Sequence, residues 1–104
     1  FAAAANQNHA QGHNDLAWLL ATQRNAALRN GSRALSHARL AVQAEASVGH
    51  LDTLAAALAE TGQFEQAVAT QQRAIEAVAS DNPGLETELQ QRLDHYRRQQ
   101  PWRE

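Results

Sequence analysis

The stretch from residue 51 to residue 67 constrains the fold more than any other part of the chain. Its first half carries Leu54 and Leu58 at helical spacing, so these two side chains share one face of a helix. Gly62 then interrupts the pattern, and Phe64 opens a second apolar stripe. Glycine commonly ends helices because it adopts a left-handed backbone conformation at no steric cost. The stretch therefore predicts two helices joined by a short turn.

The composition favours helices that pack closely through small side chains. Alanine occurs 23 times and glutamine 12 times in 104 residues, whereas aromatic residues make up 5% of the chain. Alanine has the highest helix propensity, and the β-branched residues here are too scattered to form strands. The expected fold class is all-α, in a single domain.

Charge and cysteine content exclude several classes of function. The net charge is −2, so no basic footprint for nucleic acid is expected. The chain has no cysteine, which excludes disulfides and thiolate chemistry. No apolar run approaches 18 residues, so no membrane span is expected. All nine basic residues are arginine, and with the alanine bias this is typical of a GC-rich, bacterial genome. No pattern indicates a compartment.

An earlier part of the chain repeats the pattern of residues 51–78. The first helices match at an offset of 38 residues, which pairs Leu16, Ala17 and Leu20 with Leu54, Ala55 and Leu58. The second helices match at an offset of 33, which pairs Ala34, Ala41 and Val42 with Ala67, Ala74 and Ile75. Two matched halves that differ in the length of the connecting loop are typical of a repeat protein with an insertion. Ser32 is the expected cap of the second helix in the earlier unit.

The two ends of the chain differ in character. Residues 1–5 are expected to be the last turn of a helix that begins upstream, and residues 6–14 a polar linker, with Asn14 or Asp15 capping the next helix. The chain contains no methionine, so it is expected to be a piece of a longer protein.

A proline at residue 83 breaks the chain after the second unit, and a further helix is expected over residues 85–99. Its apolar stripe consists of Leu85, Leu89, Leu93 and Tyr96. A last helix with one polar face suits the end of a helical array, because it covers the open hydrophobic side. Trp102 is expected to fold back against this helix.

The repeated unit resembles the tetratricopeptide repeat, whose pattern is W-x2-L-G-x2-Y followed by an alanine in a helix–turn–helix of about 34 residues. Leu51, Leu54, Ala55 and Leu58 stand at the W, L, G and Y positions, and Ala67 follows the turn. The resemblance implies a right-handed helix–turn–helix solenoid, namely two units plus a capping helix at the carboxy-terminal end of a longer bacterial array.

The resemblance also implies four segments. Residues 1–13 are the tail of an upstream repeat and a linker, and residues 14–47 are the first unit, with an extended loop between its helices. Residues 48–82 are the second unit, and residues 83–104 are the capping helix and tail. The match is better for the second unit than for the first, whose loop is longer than usual.

The titratable residues do not form a pattern typical of catalysis or metal binding. His9 and His13 stand four apart, but no carboxylate lies in ligand register with them. The local pairs of His50 with Asp52, Asp94 with His95, and Ser36 with His37 each lack a third partner. We therefore expect no catalytic residue, no metal site and no cofactor.

In tetratricopeptide proteins the first helix of each unit lines a concave face that receives peptides. The alignment places Asn14, Trp18, Asp52, Ala56 and Glu60 on that face, here called the groove face. The two carboxylates favour neutral or basic peptides. Trp18 is either packed within the array or a binding anchor, and the sequence leaves both open.

The expected function is that of a non-enzymatic scaffold, which binds a peptide or partner protein on the groove face. An alternative from another class is the accessory tail of a larger enzyme, such as a glycosyltransferase, which recruits a substrate or partner. Self-association through the open amino-terminal edge is a third alternative. Fold resemblance alone does not choose among them.

Overall fold

The computed structural model describes the backbone from Ala2 to Glu104 and the side chains from His9 onward. Within that part the regular structure is entirely helical, which confirms the all-α class. The helices are α1 (Ala2–Thr22), α2 (Gly31–Ala44), α3 (Val48–Glu60), α4 (Phe64–Glu76) and α5 (Pro83–Arg97), with one 3-10 turn at Ala26–Leu28. None of the described helices is both long and apolar enough to cross a bilayer.

Consecutive helices pack against one another throughout the array. α1 lies against α2, α2 against α3, α3 against α4, and α4 against α5. α1 also packs against α3, so the first helices of the two matched units are neighbours. This order places α3 between α1 and α2 on one side and α4 and α5 on the other.

Local signals set the helix boundaries. The side chains of Asn30, Ser47 and Asn82 accept hydrogen bonds from backbone N–H groups in the first turns of α2, α3 and α5. These bonds satisfy donors that a helix start leaves free. α3 ends at Glu60, and Gly62 in the turn that follows has a φ of 80°, as the turn pattern predicts.

The matched positions of the two units are buried alike. Ala17 and Ala55, Ala34 and Ala67, and Ala41 and Ala74 are each 0% exposed. Alanine at these positions lets neighbouring helices approach closely, because no side chain extends beyond its methyl group. Residues that match between the two units in the sequence are thus also buried at equivalent places in the structure. The stripe of α5 behaves similarly, with Leu89, Leu93 and Tyr96 buried.

The amino-terminal expectation was wrong for the linker. Residues 6–14 are part of α1, and Asn14 lies inside the helix instead of capping it. Gly12 costs a helix about 1 kcal/mol relative to alanine. Burial of Ala10 and Ala17, at 2% and 0% exposed, offsets that cost. Phe1 lies outside the described residues.

The first loop also differs in detail from the expectation. Asn30, two residues before Ser32, caps α2, and its side chain accepts a hydrogen bond from the backbone N–H of Arg33 at 3.1 Å. The longer loop contains the 3-10 turn, and the Arg29 guanidinium donates to the Gln23 carbonyl oxygen at 2.7 Å. The extra residues therefore form an ordered connection.

Candidate functional site

Three of the five groove-face residues line one cavity. Asn14 and Trp18 on α1 and Asp52 on α3 border a space of about 480 Å³, together with Arg92 on α5. Glu104 closes one side of the same cavity. The helix order explains this convergence, since α1 packs directly on α3 and α5 follows on the other side. Aromatic, amide, acidic and basic groups thus meet at one place.

Asp52 is the acidic centre of this cavity. The side-chain amide of Gln71 donates to Asp52 Oδ1 at 3.0 Å, and Arg92 Nε lies 3.8 Å from the same oxygen. Burial raises the pKa of the Asp52 carboxyl above its usual range, while Arg92 and the Gln71 hydrogen bond act in the opposite direction. Gln71 is itself fully buried, and its amide also donates to the Leu89 carbonyl oxygen at 3.1 Å.

Trp18 is half-buried and contacts a cation. The Arg92 guanidinium carbon lies 5.1 Å from the centroid of the Trp18 ring and 5.4 Å from that of Trp102. Arg92 therefore makes cation–π contacts with two indole rings, one from each end of the array. Trp18 packs partly against the buried cluster of α1–α3 and partly borders the cavity.

Glu60 lies apart from that cavity and is paired with arginines. Its Oε1 is 3.3 Å from Arg29 Nε, and its Oε2 is 2.6 Å from Arg103 Nη1. The Glu60 side chain is 14% exposed. The carboxylate that was expected to face solvent is thus neutralised by two cations of the chain itself.

Ala56 does not face open solvent, and that part of the groove expectation was wrong. It is 2% exposed and belongs to a buried cluster with Ala17, Leu20 and Ala57. α1 and α2 cover this side of α3, so a side chain at position 56 points into the α1–α3 contact.

Residues 101–104, here called the tail segment, return to the helices after α5. The Trp102 ring lies edge-on to His95 of α5, with ring centroids 4.9 Å apart, as expected for a residue that folds back on the cap. The Glu104 backbone N–H donates to the Thr22 carbonyl oxygen at 2.9 Å. The tail segment therefore joins the end of α5 to the end of α1.

A histidine pair that the sequence did not predict lies between α1 and α2. The Nδ1 atoms of His13 and His37 lie 2.8 Å apart, and their rings stack at a centroid distance of 5.0 Å. Burial, then the nearby His13, then Arg33, lower the pKa of His37. No local spacing signals this pair, because the two residues are brought together only by the packing of their helices.

The remaining candidate residues have structural roles. The Nδ1 of buried His50 lies 2.8 Å from the Glu45 carbonyl oxygen and 3.1 Å from that of Ala41, which ties α3 to the end of α2. The Ser36 hydroxyl donates to the Ser32 carbonyl oxygen one turn earlier. Among the described side chains, no group of three or more histidine or carboxylate residues is arranged to hold a metal ion.

Comparison with known proteins adds no assignment. No family model matches the chain, and neither the curated proteins nor the solved structures contain a match.

Proposed function

We propose that the chain is a non-enzymatic protein-interaction module, a right-handed solenoid of two tetratricopeptide-like units and a capping helix, which binds a peptide or partner protein on the groove face. The observation that carries this proposal is the convergence of Trp18, Asp52 and Arg92, from three different helices, on one cavity. The repeated burial of matched alanines supports the repeat architecture.

The chemistry of the cavity suits a peptide better than a reacting substrate. Asp52 Oδ1 is held by Gln71 and Arg92, so this oxygen is engaged in structure. The half-buried Trp18 ring borders the cavity and contacts the Arg92 guanidinium, and tryptophan and arginine are the residues that most often dominate binding energy at interfaces. A rigid helical array holds both without a large entropy cost on binding.

Electrostatics favours neutral or basic partners. Asp52 and Glu60 are the carboxylates of the groove face, and both are already close to arginines of the chain. An incoming cation can take the place of one of these arginines at either carboxylate, whereas an incoming carboxylate would be repelled by the acid nearest to it. Partly exposed charges of this kind contribute only about 0.2–1 kcal/mol each and act mainly on selectivity.

A peptide-array screen followed by titration tests the proposal. The best binder should lose affinity by about tenfold or more with Trp18→Ala, because an aromatic anchor is removed. Asp52→Asn should weaken the binding of basic peptides and reduce its salt dependence. Leu40→Ala and Asp81→Asn are the matched controls, since both side chains are exposed and neither lines the cavity. Binding that ignores Trp18 and Asp52 but responds to a control would place the interaction elsewhere.

A further inference from the structure

The tail segment contacts the groove face in the way that a bound peptide would. Arg103 places Nη1 2.6 Å from Glu60 Oε2, and the same nitrogen donates to the Ala21 carbonyl oxygen at 3.4 Å. Trp102 contacts Arg92, which also contacts Trp18. The next residue, Arg103, contacts the Glu60 carboxylate.

Backbone hydrogen bonds add to these side-chain contacts. The N–H of Glu104 donates to the Thr22 carbonyl oxygen at 2.9 Å, and Arg24 Nε donates to the Glu104 carbonyl oxygen at 2.5 Å. The last carbonyl groups of a helix have no partner within the helix, so the end of α1 offers acceptors to any chain that lies across it. Thr22 is one of these residues, and its carbonyl is satisfied by the tail segment.

We propose that the tail segment occupies the peptide-binding site of the groove face, and that the external ligand is a protein segment with an aromatic residue directly followed by arginine. This inference rests on the proposed function and specifies its ligand. The external arginine takes the place of Arg103 on Glu60, and the external ring takes the place of Trp102 on Arg92. Binding of the partner therefore requires release of the tail segment.

The contacts of the tail segment allow such an exchange. The Arg103 side chain is 28% exposed, and residues 101–104 lie outside any regular helix. The indole Nε1 of Trp102 is buried without a hydrogen-bond acceptor among the described residues, so the fit of the tail is incomplete. A tethered segment nevertheless competes at an effective concentration in the millimolar range. The apparent affinity for an external ligand equals the intrinsic affinity multiplied by the fraction of molecules in which the face is free.

The test uses the 104-residue chain and the labelled peptide QQPWRE, which copies residues 99–104. A double variant, Trp102→Ala with Arg103→Ala, keeps the chain length but removes the two competing side chains. Fluorescence anisotropy should show the peptide binding about tenfold or more tightly to this variant than to the unaltered chain. The peptide QQPAAE should bind neither protein. Equal affinity of QQPWRE for both proteins overturns the inference.

Site specificity is tested within the double variant. Adding Glu60→Gln should abolish most of the gain in affinity, because the peptide arginine loses its carboxylate. Adding Glu65→Gln, an exposed carboxylate on α4, should leave the gain unchanged. Circular dichroism verifies folding of each protein. If the double variant unfolds, Arg103→Ala alone replaces it, since that side chain is partly exposed, and its affinity for QQPWRE should still exceed that of the unaltered chain.

Two further outcomes separate the possible occupants. If sedimentation shows a dimer of the unaltered chain that dissociates in the double variant, the tail segment docks on a second copy, and the inference is overturned. If array peptides without an aromatic–arginine pair bind the groove face while QQPWRE does not bind the double variant, the proposed function stands and this inference falls. If QQPWRE binds the double variant but no array peptide binds, the tail segment occupies the groove face, and the proposed external protein ligand is overturned.

Discussion

Two residues in the left-handed backbone region end helices and direct the chain. Gly62 follows α3 with φ 80°, and Gln99 follows α5 with φ 58°. Both residues lie in turns of the same type, in which the N–H of the following residue donates a hydrogen bond to a carbonyl oxygen five residues earlier. Gln63 donates to Leu58, and Gln100 donates to His95, both at 2.9 Å. The turn at Gln99 directs the tail segment toward α1. The contacts of the tail segment therefore depend on the left-handed backbone conformation of Gln99.

Gln99→Gly is expected to stabilise the protein. A residue with a Cβ pays about 1–2 kcal/mol in the left-handed region, and glycine's greater freedom in the unfolded chain returns part of that. A net gain of about 0.5–1 kcal/mol in the free energy of unfolding should appear in urea titration. The converse substitution, Gly62→Ala, should cost about 1 kcal/mol. Loss of stability in Gln99→Gly would mean that the glutamine side chain contributes more than its backbone costs.

The His13–His37 pair is expected to make stability fall in mild acid. The pKa of His37 is lowered in the folded protein below the 6.5 of an unperturbed histidine, so the unfolded chain binds more protons in that range. Stability is therefore complete above about pH 6.5 and decreases as the pH falls through the lowered pKa. Urea titrations at several pH values between 5 and 8 measure the free energy of unfolding. Its dependence on pH should be weaker in His37→Gln than in the unaltered chain. His9→Gln, at an exposed position, serves as the control.

At the level of elements, α3 is the central helix and is buried on almost every side. His50, Leu51, Thr53 and the run from Ala55 to Ala59 are all buried. Ala56 and Ala57 belong to the cluster with α1 and α2, whereas Ala55, Leu58 and Ala59 belong to the cluster that contains Tyr96 of α5. The alanines let both neighbours approach, because each needs little space.

Ala56→Glu is expected to be strongly destabilising, contrary to what an open groove would predict. It would place a carboxylate in the α1–α3 contact without a cation, a type of change that costs about 3–5 kcal/mol. Ala69→Glu, at an exposed position on α4, should change the free energy of unfolding by less than about 0.5 kcal/mol. Chemical denaturation of both variants measures the difference. A tolerated glutamate at position 56 would mean that α1 and α3 are separated in solution.

Leu58→Ala is expected to cost about 2–5 kcal/mol, as for buried leucines in general. Leu58 is 3% exposed and packs in the cluster that joins α3 to α4 and α5. A domain of this size has about 5–15 kcal/mol of stability, so the melting temperature should fall clearly. Leu40→Ala is the control, because Leu40 is 46% exposed. Similar melting curves for the two variants would contradict the register of α3.

At the level of the whole molecule, the tail segment joins the last helix to the first unit. Glu104 contacts Arg24 and Thr22, and Arg103 contacts Glu60, all far earlier in the sequence. Helical arrays otherwise gain most of their stability from neighbouring elements. These contacts add a long-range closure, so α1 should unfold together with α5.

Arg103→Ala is expected to lower the free energy of unfolding by about 1 kcal/mol, since the Glu60 ion pair and the hydrogen bonds to the Ala21 and Trp102 carbonyl oxygens are lost. The loss should shrink as salt rises from about 0.05 to about 0.5 M, because Debye screening weakens a partly exposed pair. Arg39→Ala, on the exposed side of α2, should show neither effect. A salt-independent loss would indicate that packing of the aliphatic part of Arg103, and not its charge, stabilises the closure.

Much of the fold was predictable because its signals are local, and much of the candidate site was not. The turn at Gly62, the start of α5 at Pro83 and the stripes of the second unit all follow from nearby residues. Gly12 and the polar residues around it misled the prediction of α1, since burial of Ala10 outweighed local propensity. The groove-face prediction placed Asn14, Trp18 and Asp52 on two helices and did not include the Arg92 that joins them.

The sequence by itself determined the all-α class, the matched pairs of buried alanines and the position of most helix ends, because helical period, caps and chain breakers act within a few residues. Only the tertiary structure decided which side of α3 is open, because the helices that cover its other sides, α1, α2 and α5, come from distant parts of the chain. It also decided that Glu60 faces Arg103 and that His13 faces His37. Such contacts depend on how helices pack in space, and no spacing along the chain encodes them.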